Sequence, residues 1–154
     1  MNSDVLLVSL AGVLSSAAPI IFAVIGETVS ERAGVINLAM NGMILLSAMG
    51  GFSAALATDS LVLGFLAGAL IGGLVALVVA FASITLYQSQ VAVGFVLTLL
   101  CRDLSYFLGN SVMGLPGPRL SLAPIPFLED IPILGPLVFR QDLMTYLSLV
   151  LVVA

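Results

Sequence analysis

Two asparagines, Asn37 and Asn41, stand four residues apart inside an otherwise apolar run, and their types permit hydrogen bonding but no covalent chemistry. On a helix that spacing puts both on one face. Amides at membrane depth are costly unless they meet partners or line a wet cavity, so they are candidates for a solute pathway or for a polar contact beside Gly34 and Gly42. The segment before them, GETVSERAG, holds Glu27, Glu31 and Arg32. Glu27 and Glu31 would repel at helical spacing, with Arg32 able to relieve them. A paired-carboxylate enzyme site would need a nucleophile, metal cluster or phosphate loop beside it, and none accompanies it; charges marking a helix break at an interface explain the same residues. Further along, Arg102 and Asp103 interrupt an apolar stretch. They could be functional intramembrane charges, or Arg102 could snorkel or pair with an acid on another helix. Adjacent positions point about 100° apart on a helix, so the spacing does not require them to pair with each other.

The elements that must position these residues follow from composition. Of 154 residues 61% are hydrophobic and 8% charged, with mean hydropathy +1.28. Soluble domains carry about 25% charged residues, so this chain is solvated mostly by lipid and by other helices. The net charge of −4 argues against a nucleic-acid partner. The absence of histidine excludes His-based acid–base catalysis, Ser-His-Asp triads and His metal sites. Cys101 is the sole cysteine, so it forms no internal disulfide. The N-terminus lacks the basic stretch of a secretory signal, and Val5 onward reads as a retained span. No GxxxxGK[ST] loop occurs, so ATP hydrolysis is not expected of this chain.

A transmembrane helix needs about 20 mainly apolar residues. Four runs qualify: residues 5–25 with Pro19 as a kink, 35–57, 61–86 and 91–109. Their short connections predict antiparallel neighbours. In the third run Gly64, Gly68 and Gly72, with Gly73 adjacent, form a small-residue face for helix packing. Six of seven prolines then crowd into 110–142, which predicts a Pro-rich extramembrane segment touching the interface through Phe127, Ile131 and Ile133. A fifth apolar run, 143–154, is too short to cross a bilayer, so the chain is expected to be the N-terminal portion of a larger protein. The expected fold is all-α: a polytopic bundle of four full spans plus a truncated fifth, with 1–154 belonging to one transmembrane domain. Arginine placement weakly favours the Pro-rich side as cytoplasmic.

The stretch GETVSERAGVINLAMNGMILLSAMGGF, 26–52, resembles the signature of permease subunits of bacterial ABC importers in the family serving branched-chain amino acids, ribose-type sugars and nucleosides. The nucleoside-type branch is most similar, through Gly26, Glu27, Ser30, Glu31, Arg32, Gly34, Val35, Asn37, Gly42 and Met43. QSQVAVGF, 88–95, and IPILGPLVFRQDLMTYLSL, 131–149, resemble two later elements of that branch in the same order. Three positions depart: Asn41 replaces an acidic residue, Ala39 a glycine, and Arg102 a small residue. The loss of charge at Asn41 puts any charge-dependent role there in doubt.

The resemblance implies a multi-pass permease of the bacterial inner membrane, with Asn37, Asn41 and Met43 as candidate pathway residues. It implies a second permease subunit, in a homo- or heterodimer, and two cytoplasmic ATPase subunits that carry the ATP and Mg. An extracytoplasmic substrate-binding protein would deliver the solute, and no cofactor is expected on this chain. It also implies that the GETVSERAG side faces inward, opposite to the arginine placement. Two other classes remain open: half of a secondary transporter or channel, which would show ion-coupling acids or matched helix breaks in two halves, and a non-transporting scaffold subunit, in which Asn37 and Asn41 would pack against protein.

Overall fold

In a computed structural model, residues 3–118, 120, 139 and 141–153 are described. Five helices follow in order: α1 (Ser3–Arg32), α2 (Met40–Thr58), α3 (Leu61–Ala80), α4 (Gln90–Gly109) and α5 (Leu143–Val153). A single π-helical turn, Phe81–Thr85, extends α3. Four of these helical stretches are long and apolar enough to cross a membrane: Val5–Arg32, Met40–Thr58, Leu61–Thr85 and Gln90–Gly109. Large side chains such as Leu70, Leu74, Phe95 and Val96 are exposed all round them. That is the pattern of helices whose solvent is lipid.

The chain forms two compact units, Met1–Gly26 with Leu120–Ala154, and Glu27–Arg119, so that the boundary falls inside α1. In the larger unit α2 is the common partner of α3 and α4. Apolar helices in lipid gain little from burial as such, so close backbone approach must supply the attraction. The α2–α3 pair achieves it with small residues. A Cβ on Gly64 would stand 2.7 Å from Ala55 Cβ and 2.9 Å from the Gly51 carbonyl, and one on Gly68 would stand 3.1 Å from the Ser47 carbonyl. Position 64 faces 51 and 55 while position 72 faces 43 and 47, so the pair is antiparallel. Gly64, Gly68 and Gly72 thus lie against α2.

The α2–α4 pair runs the other way. Leu38 meets Gly94, Gly42 meets Thr98 and Met49 meets Gly109, so α2 and α4 are parallel. The Ser105 hydroxyl donates to the Leu45 carbonyl at 3.0 Å, tying a polar side chain across the seam. The core between the three helices is Ala39, Leu46, Val75, Val79 and Cys101, with Met43, Met49, Ile71 and Leu97 against it. α3 and α4, although joined by a four-residue link, touch each other far less than either touches α2.

In the smaller unit the first part of α1 is bonded to the two residues that lead into α5. The helix is unbroken through Pro19, although the proline removes the backbone donor that would reach Ser15. Asp142 caps α5 by accepting from the Thr145 N–H at 2.8 Å, and it also accepts from the Ser15 hydroxyl at 3.2 Å. The Gln141 amide, 3% exposed, donates to the Ala11 carbonyl at 3.4 Å. Most of the Pro-rich stretch, with Phe127, Ile131 and Ile133, lies outside the described residues. Its last two residues, Gln141 and Asp142, bond to Ala11 and Ser15 within α1's apolar run.

Candidate functional site

The charged turn and the two asparagines converge on the passage from α1 to α2, but not in the geometry that their spacing suggested. The stretch from Gly26 to Arg32 is not a loop: it is the last two turns of α1. The helix ends at Gly34, whose φ of +81° a side chain would strain. The Gly34 N–H donates to the Glu31 carbonyl at 2.9 Å and the Val35 N–H to the Ser30 carbonyl at 3.0 Å. These two bonds make a Schellman termination, with Arg32 in the last turn favourably placed against the helix dipole. The local signal for a helix break was real, and it lies at Gly34 rather than at the charges. No atom approaches within 4 Å of a Cβ built on Gly34. Gly34→Ala is therefore expected to cost only about 1 kcal/mol, from backbone strain alone, measurable as a small fall in thermal midpoint of the detergent-solubilised full-length protein.

Residues 33–39 are not helical, and α2 begins at Met40 rather than at 35. Asn37 and Asn41 therefore do not share a helical face. The reason is tertiary: three side chains supply the hydrogen bonds that a helix would otherwise make. Asn37 Oδ1 accepts from the Ala39 N–H at 3.1 Å. Gln90 Oε1, from the first turn of α4, accepts from the Ile36 N–H at 3.0 Å. Thr98 Oγ1 donates to the Leu38 carbonyl. Irregular backbone beside hydrocarbon survives only when satisfied in this way. Gly94 and Gly42 let the crossing come close, and Ala39 is wholly buried in it.

Against this passage lies a cavity of about 120 Å³, walled by Val35, Ala76, Val79, Ala80 and Ile84 and carrying the polar side chains of Ser30, Asn37, Ser83 and Gln90. Ser83 sits in the π-helical turn, a local unwinding that often marks functional positions. Its hydroxyl is out of solvent and has no hydrogen-bond partner among the described residues. One carboxylate oxygen of Glu27 is likewise buried and unpartnered among them. Among the described residues no charged side chain lines the cavity. A larger cavity of about 470 Å³ between α2 and α3 offers Ser47 as its one polar side chain among the described residues and supports no polar chemistry.

The other candidates fall elsewhere. Asn41 is exposed on α2, away from this cavity, and Met43 packs half-buried towards Gly72 of α3. Of the three pathway candidates, only Asn37 reaches the polar cavity. Arg102 and Asp103 are exposed and pair with each other, Nε to Oδ1 at 3.1 Å, because the long arginine stem spans the angle between neighbouring positions. Among the described residues no group of His, Cys, Asp and Glu could hold a metal. Sequence reasoning missed Ser83, Gln90, Gly94 and Thr98. Gln90 and Gly94 lie in the QSQVAVGF stretch already singled out, whereas a lone serine or threonine in an apolar run gives no signal.

Four helices long and apolar enough to cross a membrane, with α2, α3 and α4 packed through glycine contacts beside a hydrogen-bonded break, define a multi-pass membrane protein. Residues 9–154 match the family model described as the branched-chain amino acid transport system permease component, and the chain belongs to that family. It is 37% identical over 144 residues to TsgC13 of Haloferax volcanii, an ABC transporter permease protein provisionally assigned to glucose; the match covers 90% of this chain and 44% of the relative. It is 30% identical over 149 residues to NupC of Lactococcus lactis subsp. cremoris, a nucleoside ABC transporter permease protein, covering 90% and 47%. It is 29% identical over 137 residues to NupQ of Bacillus subtilis, a guanosine ABC transporter permease protein, covering 81% and 43%. The chain spans about half the length of these curated relatives. No solved structure matches it.

Proposed function

We propose that this chain is part of the permease subunit of an ABC importer that takes up nucleosides or simple sugars. The observation that carries this reading is the match of nearly the whole chain to permease proteins whose named solutes are glucose, nucleosides and guanosine. These solutes are neutral and rich in hydroxyls, and the polar cavity beside the signature turn is lined by neutral amides and hydroxyls. In this reading the permease supplies a noncovalent route. A second permease subunit completes the route, two cytoplasmic ATPase subunits drive it, and an extracytoplasmic binding protein loads it.

The test is uptake of radiolabelled guanosine, ribose and glucose by cells lacking the full-length gene, with and without the restored gene and an active ATPase partner. Restoration is expected to bring ATPase-dependent uptake of a nucleoside. Sugar uptake alone would keep the importer and narrow the solute to a sugar. Uptake of none of the three would refute the proposal.

A further inference from the structure

We propose that the cavity at the α1–α2 passage is a docking site for the hydroxylated ring of the solute, held by Asn37, Ser83 and Gln90; this rests on the importer reading above. The three side chains come from separate segments, the α1–α2 passage, the π-helical turn and the start of α4, and meet at one cavity.

Two of them are oriented by the protein itself. A backbone N–H can donate only to the oxygen of an amide side chain. The bonds from Ala39 N–H to Asn37 and from Ile36 N–H to Gln90 therefore fix which end of each amide is engaged. Each oxygen is committed to the backbone, and each NH2 group makes no bond among the described residues. The third group, the Ser83 hydroxyl, is buried without a partner among them. Such a hydroxyl is destabilising if left unpaired, so a partner is expected there.

The set selects for charge and size. Among the described residues no charged side chain lines the cavity, so an ion entering it would lose hydration without compensation. A neutral hydroxyl can accept from an amide NH2 and exchange bonds with Ser83, while the apolar walls meet the carbons of a ring. A volume of about 120 Å³ holds about four waters, or one hydroxylated ring in their place. It is too small for a purine beside that ring. The sugar moiety is also the chemistry common to glucose, nucleosides and guanosine.

The experiment uses the full-length permease with its ATPase partner. Asn37→Asp and Gln90→Glu keep the backbone-bound oxygen and remove the donor, and Ser83→Ala removes the hydroxyl. Each is expected to raise KM for guanosine and for ribose about tenfold, the scale of one hydrogen bond, with maximal rate and membrane level held. An unchanged KM in all three variants would overturn the proposal. A second readout needs no transport: Ser83→Cys in a cysteine-free full-length background, alkylated by N-ethylmaleimide. Millimolar ribose or guanosine should slow the labelling while free guanine does not. Equal labelling with and without ribose would also overturn the proposal. Protection by ribose in a protein that transports none of guanosine, ribose and glucose would uphold the site and refute the importer reading alone.

Discussion

Gly42→Leu is expected to destabilise the full-length protein more than any other single glycine substitution in α2. A Cβ at position 42 would stand 2.7 Å from Thr98 Cα and 2.9 Å from Thr98 C. Those atoms are backbone, so no rotamer change relieves the clash, and α4 must move as a body. Moving α4 also separates Thr98 from the Leu38 carbonyl and Gln90 from the Ile36 N–H. Overpacking typically costs about 1–3 kcal/mol, and each lost hydrogen bond adds about 1 kcal/mol. A total of about 3 kcal/mol or more is expected. Gly73→Leu is the control, because nothing lies within 4 Å of a Cβ at position 73. Thermal unfolding in detergent, followed by the loss of the monodisperse peak, should separate the two variants by many degrees. Equal midpoints would mean that the α2–α4 crossing is not close-packed.

The second large effect is expected at the ion pair on α4. Arg102 and Asp103 are 45% and 69% exposed in their side chains and neutralise each other on a helix otherwise suited to lipid. Removing one partner leaves a single charge on a membrane span. Insertion scales put such a charge at roughly 3 kcal/mol near a helix centre. Arg102→Leu and Asp103→Leu are each expected to lower the amount of inserted protein several-fold. The double substitution should restore it to near the parental level, because it removes both charges together. Quantitative immunoblotting of the membrane fraction decides this. A double variant no better than either single one would show that the charges serve separate partners.

The particular elements show what can be read from a chain of this kind. Apolar run length located all four membrane-length helices, because hydrocarbon tolerates little else over some twenty residues. The Gly64, Gly68 and Gly72 face was visible because four-residue spacing brings residues to one side of any helix, and it does lie on α2. The interruption near SERAG was visible too, yet its nature was misread. The charges suggested a helix break at an interface, whereas Glu27, Glu31 and Arg32 lie on helix and the glycine after them ends it. Asn37 was placed on a helix by its spacing from Asn41. Its own side chain and those of Gln90 and Thr98 instead hold it in an unwound passage.

By itself the sequence determined the solvent of this protein, its helical class and the position of its glycine face. Those properties are local, since each follows from residue type and from spacings of a few positions. Only the tertiary structure decided that α4 packs parallel on α2 instead of against its neighbour α3. It likewise decided that α2 starts five residues late and that Ser83, Asn37 and Gln90 meet at one cavity. These depend on partners about 50 residues apart in the chain, and a backbone polar group near lipid takes whichever partner the packing brings within reach.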